Sequence, residues 1–290
     1  MKKIIIFGGS GLLGLHASNY FFERRYEIYS TFLQHKPLKS SYKSIKIDIQ
    51  NKDKVIKILK NVKPDIILNC SGLTSVEECE KNKKKAEILH EEVPEFLAKY
   101  SLDLKIKNIH ISTDHLWDGK KSYYNENDDL NPINFYGTTK AQGEKKVILN
   151  NPNSLIIRTN FFGKGTLWRQ SFSDWALNKL NNKNLFYGFD DIYFTPISIP
   201  LLLKYLKQLI DYQAEGIYHL AGSERLSKYE FIQNLAKNYN LNYGNLQRAN
   251  YEHTKKNIER PLDMSLATEK IKKFLNNSMP TINQSIESIL

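Results

Sequence analysis

An α/β fold built on a doubly wound parallel sheet is what this sequence predicts, on three observations. Short runs such as "KIIIF" and "DIILN" are apolar throughout instead of alternating, the pattern of strands covered on both faces. Longer amphipathic stretches separate them, as crossovers between parallel strands require. A glycine cluster, "GGSGLLG" at 8 to 14, lies directly between the first such run and the first amphipathic stretch.

The elements follow in order. Residues 3 to 7 read as a strand and 12 to 24 as a helix, and "YEIYSTF" and "SIKIDI" as further strands. "KDKVIKILKNV" places apolar residues at 55, 56, 58, 59 and 62, one face of a helix. A strand at 65 to 70, a helix at 84 to 100 and a strand at 107 to 112 come next, then a helix from about 136 to 150 and a strand at 154 to 159. Beyond residue 160 the pattern loosens into a loop and helix in "FFGKGTLWRQSFSDWALNKL", an apolar helix at 199 to 210 and a strand at 216 to 221. A last helix at 227 to 239 has Ser227 as its N-cap. With no repeats and no low-complexity linker, residues 1–165, rejoined by about 190–222, are expected to form a Rossmann-type domain, and 166–290 a smaller C-terminal lobe.

Composition excludes several classes. A chain of 290 residues, 41% hydrophobic and 25% charged, buries a substantial core. No run of about 18 apolar residues exists, so no membrane partner is expected. The opening "MKKIIIF" is too short for a signal-peptide core and breaks at glycines. Cys70 and Cys79, the only cysteines, make no disulfide framework or zinc ribbon, and a reduced cytoplasm is the expected setting. The net charge of +11 comes from dispersed lysines, with clusters only as short as "KNKKK". No basic stripe interleaved with aromatics is present, so no nucleic acid is expected. The excess suits anionic small molecules such as dinucleotides and nucleotide sugars.

Gly8, Gly11 and Gly14 allow a tight turn and the approach of backbone amides to a pyrophosphate; the plainer reading is a turn serving packing alone. The second strand ends in "YSTFLQHKP", with Thr31, His35 and Lys36 but no acid to take ribose hydroxyls. That favours NADPH and leaves NADH open. Tyr136 and Lys140 stand one helical turn apart, where an ammonium lowers the proton affinity of a phenol and makes it a proton donor to a carbonyl. Thr113, at the end of the preceding strand, can hydrogen-bond the same carbonyl. His115 and Asp118 lie near it, but no third ligand at useful spacing accompanies them, and no metal is expected.

The order GGSGLLG, NCSGLTSVEECE, ISTDHLWDG, FYGTTKAQGEK, IIRTNFFGKG, FTPISIP, GIYHLAG and RPLDMSLATEKI resembles the extended short-chain dehydrogenase/reductases over nearly the whole chain. Within them it is most similar to the dTDP-4-dehydrorhamnose reductases and their nucleotide-sugar-binding relatives. The resemblance implies a catalytic triad of Thr113, Tyr136 and Lys140. It implies a cofactor held by Gly8, Ser10, Gly11, Leu12, Leu13, Gly14, Asp48, Ile49, Cys70, Ser71 and Gly72, together with Tyr136 and Lys140, to which the end of the second strand adds Thr31 and His35. Val76, Glu77, Arg158 and Arg260 would sit near a sugar nucleotide in a C-terminal substrate-binding lobe. The implied activity is NADPH-dependent reduction of a 4-keto nucleotide sugar for surface polysaccharide, and a homodimer is an assembly known among the relatives.

The chain departs from that pattern in four places. His115 stands where a tyrosine is usual and Phe161 where a tryptophan is usual, both in the sugar pocket. His90 replaces an asparagine, and His16 a glutamate that binds magnesium in some members. Two rivals remain. One is an epimerase using His115 as an added acid/base, and the other is a non-catalytic regulatory subunit that only binds dinucleotide.

Overall fold

The computed structural model describes residues 1–37, 41–182, 184–251 and 258–290. In chain order it begins with β1 (Lys3–Phe7), α1 (Leu12–Glu23), β2 (Glu27–Phe32), β3 (Lys43–Lys46), α2 (Lys52–Val62) and β4 (Ile66–Asn69). Then come α3 (Val76–Lys81), α4 (Lys83–Glu87), a π-helical turn (Ile88–Glu92), α5 (Val93–Asp103), β5 (Lys107–Ile111), α6 (Phe135–Asn150) and β6 (Leu155–Arg158). The remainder comprises β7 (Phe161–Phe162), α7 (Phe172–Asn181), β8 (Phe186–Phe189), β9 (Tyr193–Phe194), β10 (Ile197–Ser198), α8 (Ile199–Asp211) and β11 (Gly216–His219). It closes with β12 (Leu226–Ser227), α9 (Lys228–Asn238), β13 (Leu246–Ala249), α10 (Glu269–Leu275) and α11 (Ile282–Glu287). Among the described residues no helix is long and apolar enough to cross a membrane.

The chain forms two compact units. The first takes Met1–Ser112, Phe135–Ile157 and Ala214–Ile217, and the second takes Thr113–Asn134, Arg158–Gln213 and Tyr218–Leu290. This division is more interleaved than the boundaries expected from sequence, because residues 113–134 cluster with the later part of the chain.

The first unit is organised by a seven-stranded sheet in the order β11-β6-β5-β4-β1-β2-β3. The pairings from β3 across to β6 are parallel. Ile4, Ile5, Ile6 and Phe7 are all fully buried, as a strand covered on both faces demands. On one side Val55, Leu59, Val93 and Leu97 pack on Ile5, Phe7 and Ile67; elsewhere Ala98 and Val147 pack on Ile156. The strand order reverses between β1 and β4, the switch point at which ligands of such sheets bind.

One expected element is corrected. The single helix at 84 to 100 is instead α4, a π-helical turn and α5. Pro94 has no N–H to give the carbonyl of His90, four residues earlier, and its ring crowds that carbonyl. The helix responds by bonding Val93 N–H to Ile88 O, five residues back. The freed carbonyl meets α6 at Gly143, where a Cβ would lie 1.9 Å from His90 O.

Among its described residues the second unit holds three two-stranded pairs, β7 with β10, β8 with β13, and β9 with β12, of which only the last is antiparallel. Phe162, Phe186, Phe194, Phe231, Leu235 and Ile286 form its core. Ser227 caps α9, as the sequence predicts, and Glu230 completes a reciprocal box there; Ser171 and Asp174 do the same for α7.

Candidate active site

At the switch point the glycine loop rests on the strand beside it. Gly8 has φ +76°, and a Cβ there would lie 2.8 Å from Cys70 O. A Cβ at Gly14 would come 2.2 Å from Gly8 O, so only glycine lets α1 start so close to β1. Gly11, the N-cap of α1, offers no side chain to the first turn, and that turn contains no acid. The backbone N–H groups of this helix end, with its positive dipole, are therefore left to an external anion. These residues fit a dinucleotide pyrophosphate.

The other residues expected at the cofactor sit around this loop. The Thr31 hydroxyl accepts Gly8 N–H at 3.3 Å, which supports the loop from below. Ser10 and Leu12 are partly exposed and Leu13 is buried. His35 is exposed beyond β2. Asp48 accepts Gln50 N–H at 3.0 Å in the turn after β3, and Ile49 packs against the sheet core. Beyond β4, Cys70 N–H bonds Phe7 O at 2.9 Å, Ser71 bonds Asn69, and Gly72 borders the His90 ring.

Helix α6 presents Tyr136 and, one turn later, the buried Lys140. Lys140 Nζ donates to Ile111 O at 2.8 Å and lies 3.4 Å from His110 Nε2. Burial pushes its pKa down to about 8 against the opposing pull of Glu144. The His90 ring stands edge-on to Tyr136, with centroids 5.6 Å apart and planes at 84°. His90 Nε2 lies 2.9 Å from Leu73 O, which can only accept, so Nε2 carries the proton. Its Nδ1 then accepts from the Thr139 hydroxyl at 2.8 Å. Burial, with the Lys140 charge beside it, holds the ring neutral with a pKa of about 3.

In the second unit Thr113 is buried. Its hydroxyl donates to Asp114 Oδ1 at 3.3 Å and accepts His115 N–H at 3.3 Å, and Asn160 Nδ2 donates to Asp114 Oδ2 at 2.5 Å. His115 and Arg260 line a cavity of about 370 Å³ whose walls include Phe172, Trp175 and Tyr187. The cavity also contains Lys228, which the sequence reading missed. Its ammonium lies 3.2 Å from the Phe194 ring centroid and 5.0 Å from that of Phe172. Burial, aided by Arg260 and opposed by Asp114, lowers its pKa to about 8. Burial likewise lowers that of His115. The only local signal for Lys228 is its place just after the Ser227 cap.

Four residues expected near the sugar nucleotide do not line this cavity. Arg158 is 2% exposed; it points Nη1 at Glu126 O and His219 Nε2, each at 3.4 Å, and stacks over Trp117. Phe161 is partly buried in β7, opposite Ile197. Val76 and Glu77 belong to the first unit, Val76 buried and Glu77 exposed, accepting from the Ser75 hydroxyl at 3.1 Å. Asp118 is taken up by Lys120 N–H and the Tyr124 hydroxyl. Among the described residues no group of three or more His, Cys, Asp or Glu is placed to hold a metal ion.

Known proteins resemble this chain in sequence and in fold. The chain is 28% identical over 240 residues to dTDP-4-dehydrorhamnose reductase of Aggregatibacter actinomycetemcomitans, covering 80% of this chain and 77% of that protein. The crystal structure of the hypothetical dTDP-4-dehydrorhamnose reductase of Sulfolobus tokodaii superposes with a TM-score of 0.85 at 28% identity, covering 97% of each chain. The dTDP-4-dehydrorhamnose reductase of Bacillus anthracis, solved in complex with NADP, gives a TM-score of 0.88 at 23% identity and covers 100% of this chain and 99% of that one. The family model described as the RmlD substrate binding domain matches residues 1–290, and the chain belongs to that family.

Proposed function

We propose that this protein is an NADPH-dependent reductase of a 4-keto nucleotide sugar. The observation that carries this reading is the Tyr136–Lys140 pair on α6, with Lys140 buried against Ile111 O, in the same unit as the uncapped glycine loop. Bound NADPH supplies the hydride that reduces the carbonyl carbon. Tyr136 gives its hydroxyl proton to the carbonyl oxygen, and the Lys140 ammonium favours the phenolate that results. Thr113 hydrogen-bonds the carbonyl and fixes its direction. The helix end after Gly11 holds the cofactor pyrophosphate. His115, Lys228 and Arg260 hold the anionic nucleotide, and the aromatic walls beside them take its base.

The preference for NADPH is supported by the lack of an acid between Tyr29 and Pro37, and the Bacillus anthracis relative carries NADP. The sugar nucleotide is the partner, and the cytoplasm is the setting. The product enters a deoxysugar route to a surface polysaccharide.

The test is NADPH oxidation, followed by absorbance, with dTDP-4-dehydro-L-rhamnose. Turnover by the wild type that Tyr136→Phe abolishes is the expected result. Interconversion of sugar epimers with no net NADPH loss would replace this reading with the epimerase. NADPH binding without any turnover on keto sugars, together with capture of a protein partner, would replace it with the regulatory subunit.

A further inference from the structure

Behind Lys140 runs a hydrogen-bond chain with only one consistent set of proton positions. Ser71 N–H donates to Asn69 Oδ1 at 3.1 Å, and the Ser71 hydroxyl donates to the same oxygen at 2.6 Å. A backbone amide cannot accept, so the Asn69 amide is fixed with its nitrogen turned the other way. That nitrogen faces His110 Nδ1 at 3.3 Å and can only donate to it. Nδ1 must therefore carry a lone pair, and the proton of the neutral ring sits on Nε2. His110 is 1% exposed, burial with the Lys140 charge beside it disfavours the doubly protonated form, and a protonated Nδ1 could not accept from Asn69.

His110 Nε2–H then points at Lys140 Nζ from 3.4 Å. An ammonium has only protons to present in reply, while a neutral amine has one lone pair to accept with. Donation to Ile111 O at 2.8 Å is open to either form. The local geometry thus opposes the charged amine. Resting on the reading above, in which Lys140 assists Tyr136, we propose that His110, locked by Asn69, is a positioning residue that makes the Lys140 proton easy to release. The other groups facing Lys140 do not supply this effect. Glu144 on α6 favours the ammonium. The thiols of Cys70 and Cys79 are pushed up by burial to about 12 and about 11, so both are neutral, and the His90 ring is neutral too.

Two variants separate the tautomer from simple burial. Asn69→Asp still accepts from Ser71 but offers His110 Nδ1 an acceptor, which moves the ring proton to Nδ1 and turns an Nε2 lone pair toward Lys140. His110→Phe keeps the bulk and deletes the Nε2 proton. The measurement is NMR of the ligand-free protein, with 15N-histidine for the tautomer and 13Cε-lysine for the titration, the Lys140 signal being assigned by its loss in Lys140→Met. Expected are the Nε2–H tautomer in the wild type and a Lys140 midpoint that rises by about one pH unit or more in both variants. A wild-type Nδ1–H tautomer would overturn the proposal, as would midpoints that stay put in both variants. Because no substrate is present, failure here is distinct from failure of the reductase reading. NADPH oxidation measured in parallel should lose rate as pH rises through the Lys140 midpoint, and that loss should move to higher pH in any variant that retains activity.

Discussion

Tyr136 sits beside a ring that cannot exchange protons with it, since His90 is neutral and spent on Leu73 O and the Thr139 hydroxyl. In the proposed mechanism the phenol, and not this ring, gives the carbonyl its proton, and Tyr136→Phe should lower kcat by about 10² to 10⁴. NADPH affinity, read by fluorescence titration, should fall far less than turnover, since the phenol hydroxyl is one of many groups expected at the cofactor. Unchanged turnover would remove Tyr136 from the mechanism. In the nucleotide pocket proposed for the other unit, Lys228 acts by charge. Its replacement by Met keeps the contact with Phe194 and deletes the charge-assisted bond to a phosphate, worth about 1.5–3 kcal/mol. KM for the nucleotide sugar should rise about ten- to hundredfold, with kcat moved far less. A fall in kcat at constant KM would place Lys228 at the reacting centre instead.

Among the elements, the turn from β1 into α1 is built on contacts that tolerate no side chain. Gly14→Ala would drive a Cβ to 2.2 Å from Gly8 O, so the loop must shift and the helix end must leave the position proposed for the pyrophosphate. The expected outcome is loss of NADPH binding in calorimetry while circular dichroism retains the α/β signature. Helix α9 begins with Lys228 and is started by the Ser227–Glu230 capping box. Ser227→Ala should cost about 1 kcal/mol in urea unfolding, since one first-turn N–H loses its acceptor. α6 was readable within a residue of its ends, expected at 136 to 150 and found at Phe135–Asn150. The π-helical turn before α5 was not read, although Pro94 marks it: a five-residue bond has no sequence period, and the carbonyl it frees needs the space left by Gly143 on another helix. The paired strands of two residues, such as β7 and β10, are too short to carry a pattern at all.

For the whole molecule, the excess of 11 positive charges acts on both proposed ligands, which are polyanions. Capture of NADPH and of the nucleotide sugar should weaken as salt rises from about 0.05 to about 0.5 M, because screening shortens to less than the width of a site. Initial rates at subsaturating substrate should fall over that range while the saturated rate holds. A rate indifferent to salt would mean that local contacts alone steer binding.

By itself the sequence determined the parallel sheet, the glycine turn and the spacing of Tyr136 from Lys140. These are local properties: an apolar run covered on both faces, a turn within seven residues, and two side chains one helical turn apart. Only the tertiary structure decided that His115, Lys228 and Arg260 share one cavity, and that Arg158 is spent inside a buried network. It alone decided the proton on His110, because Asn69, His110 and Lys140 lie on β4, β5 and α6. Groups so far apart in the chain leave no period in the sequence, since their meeting is set by how strands and helices pack and not by spacing.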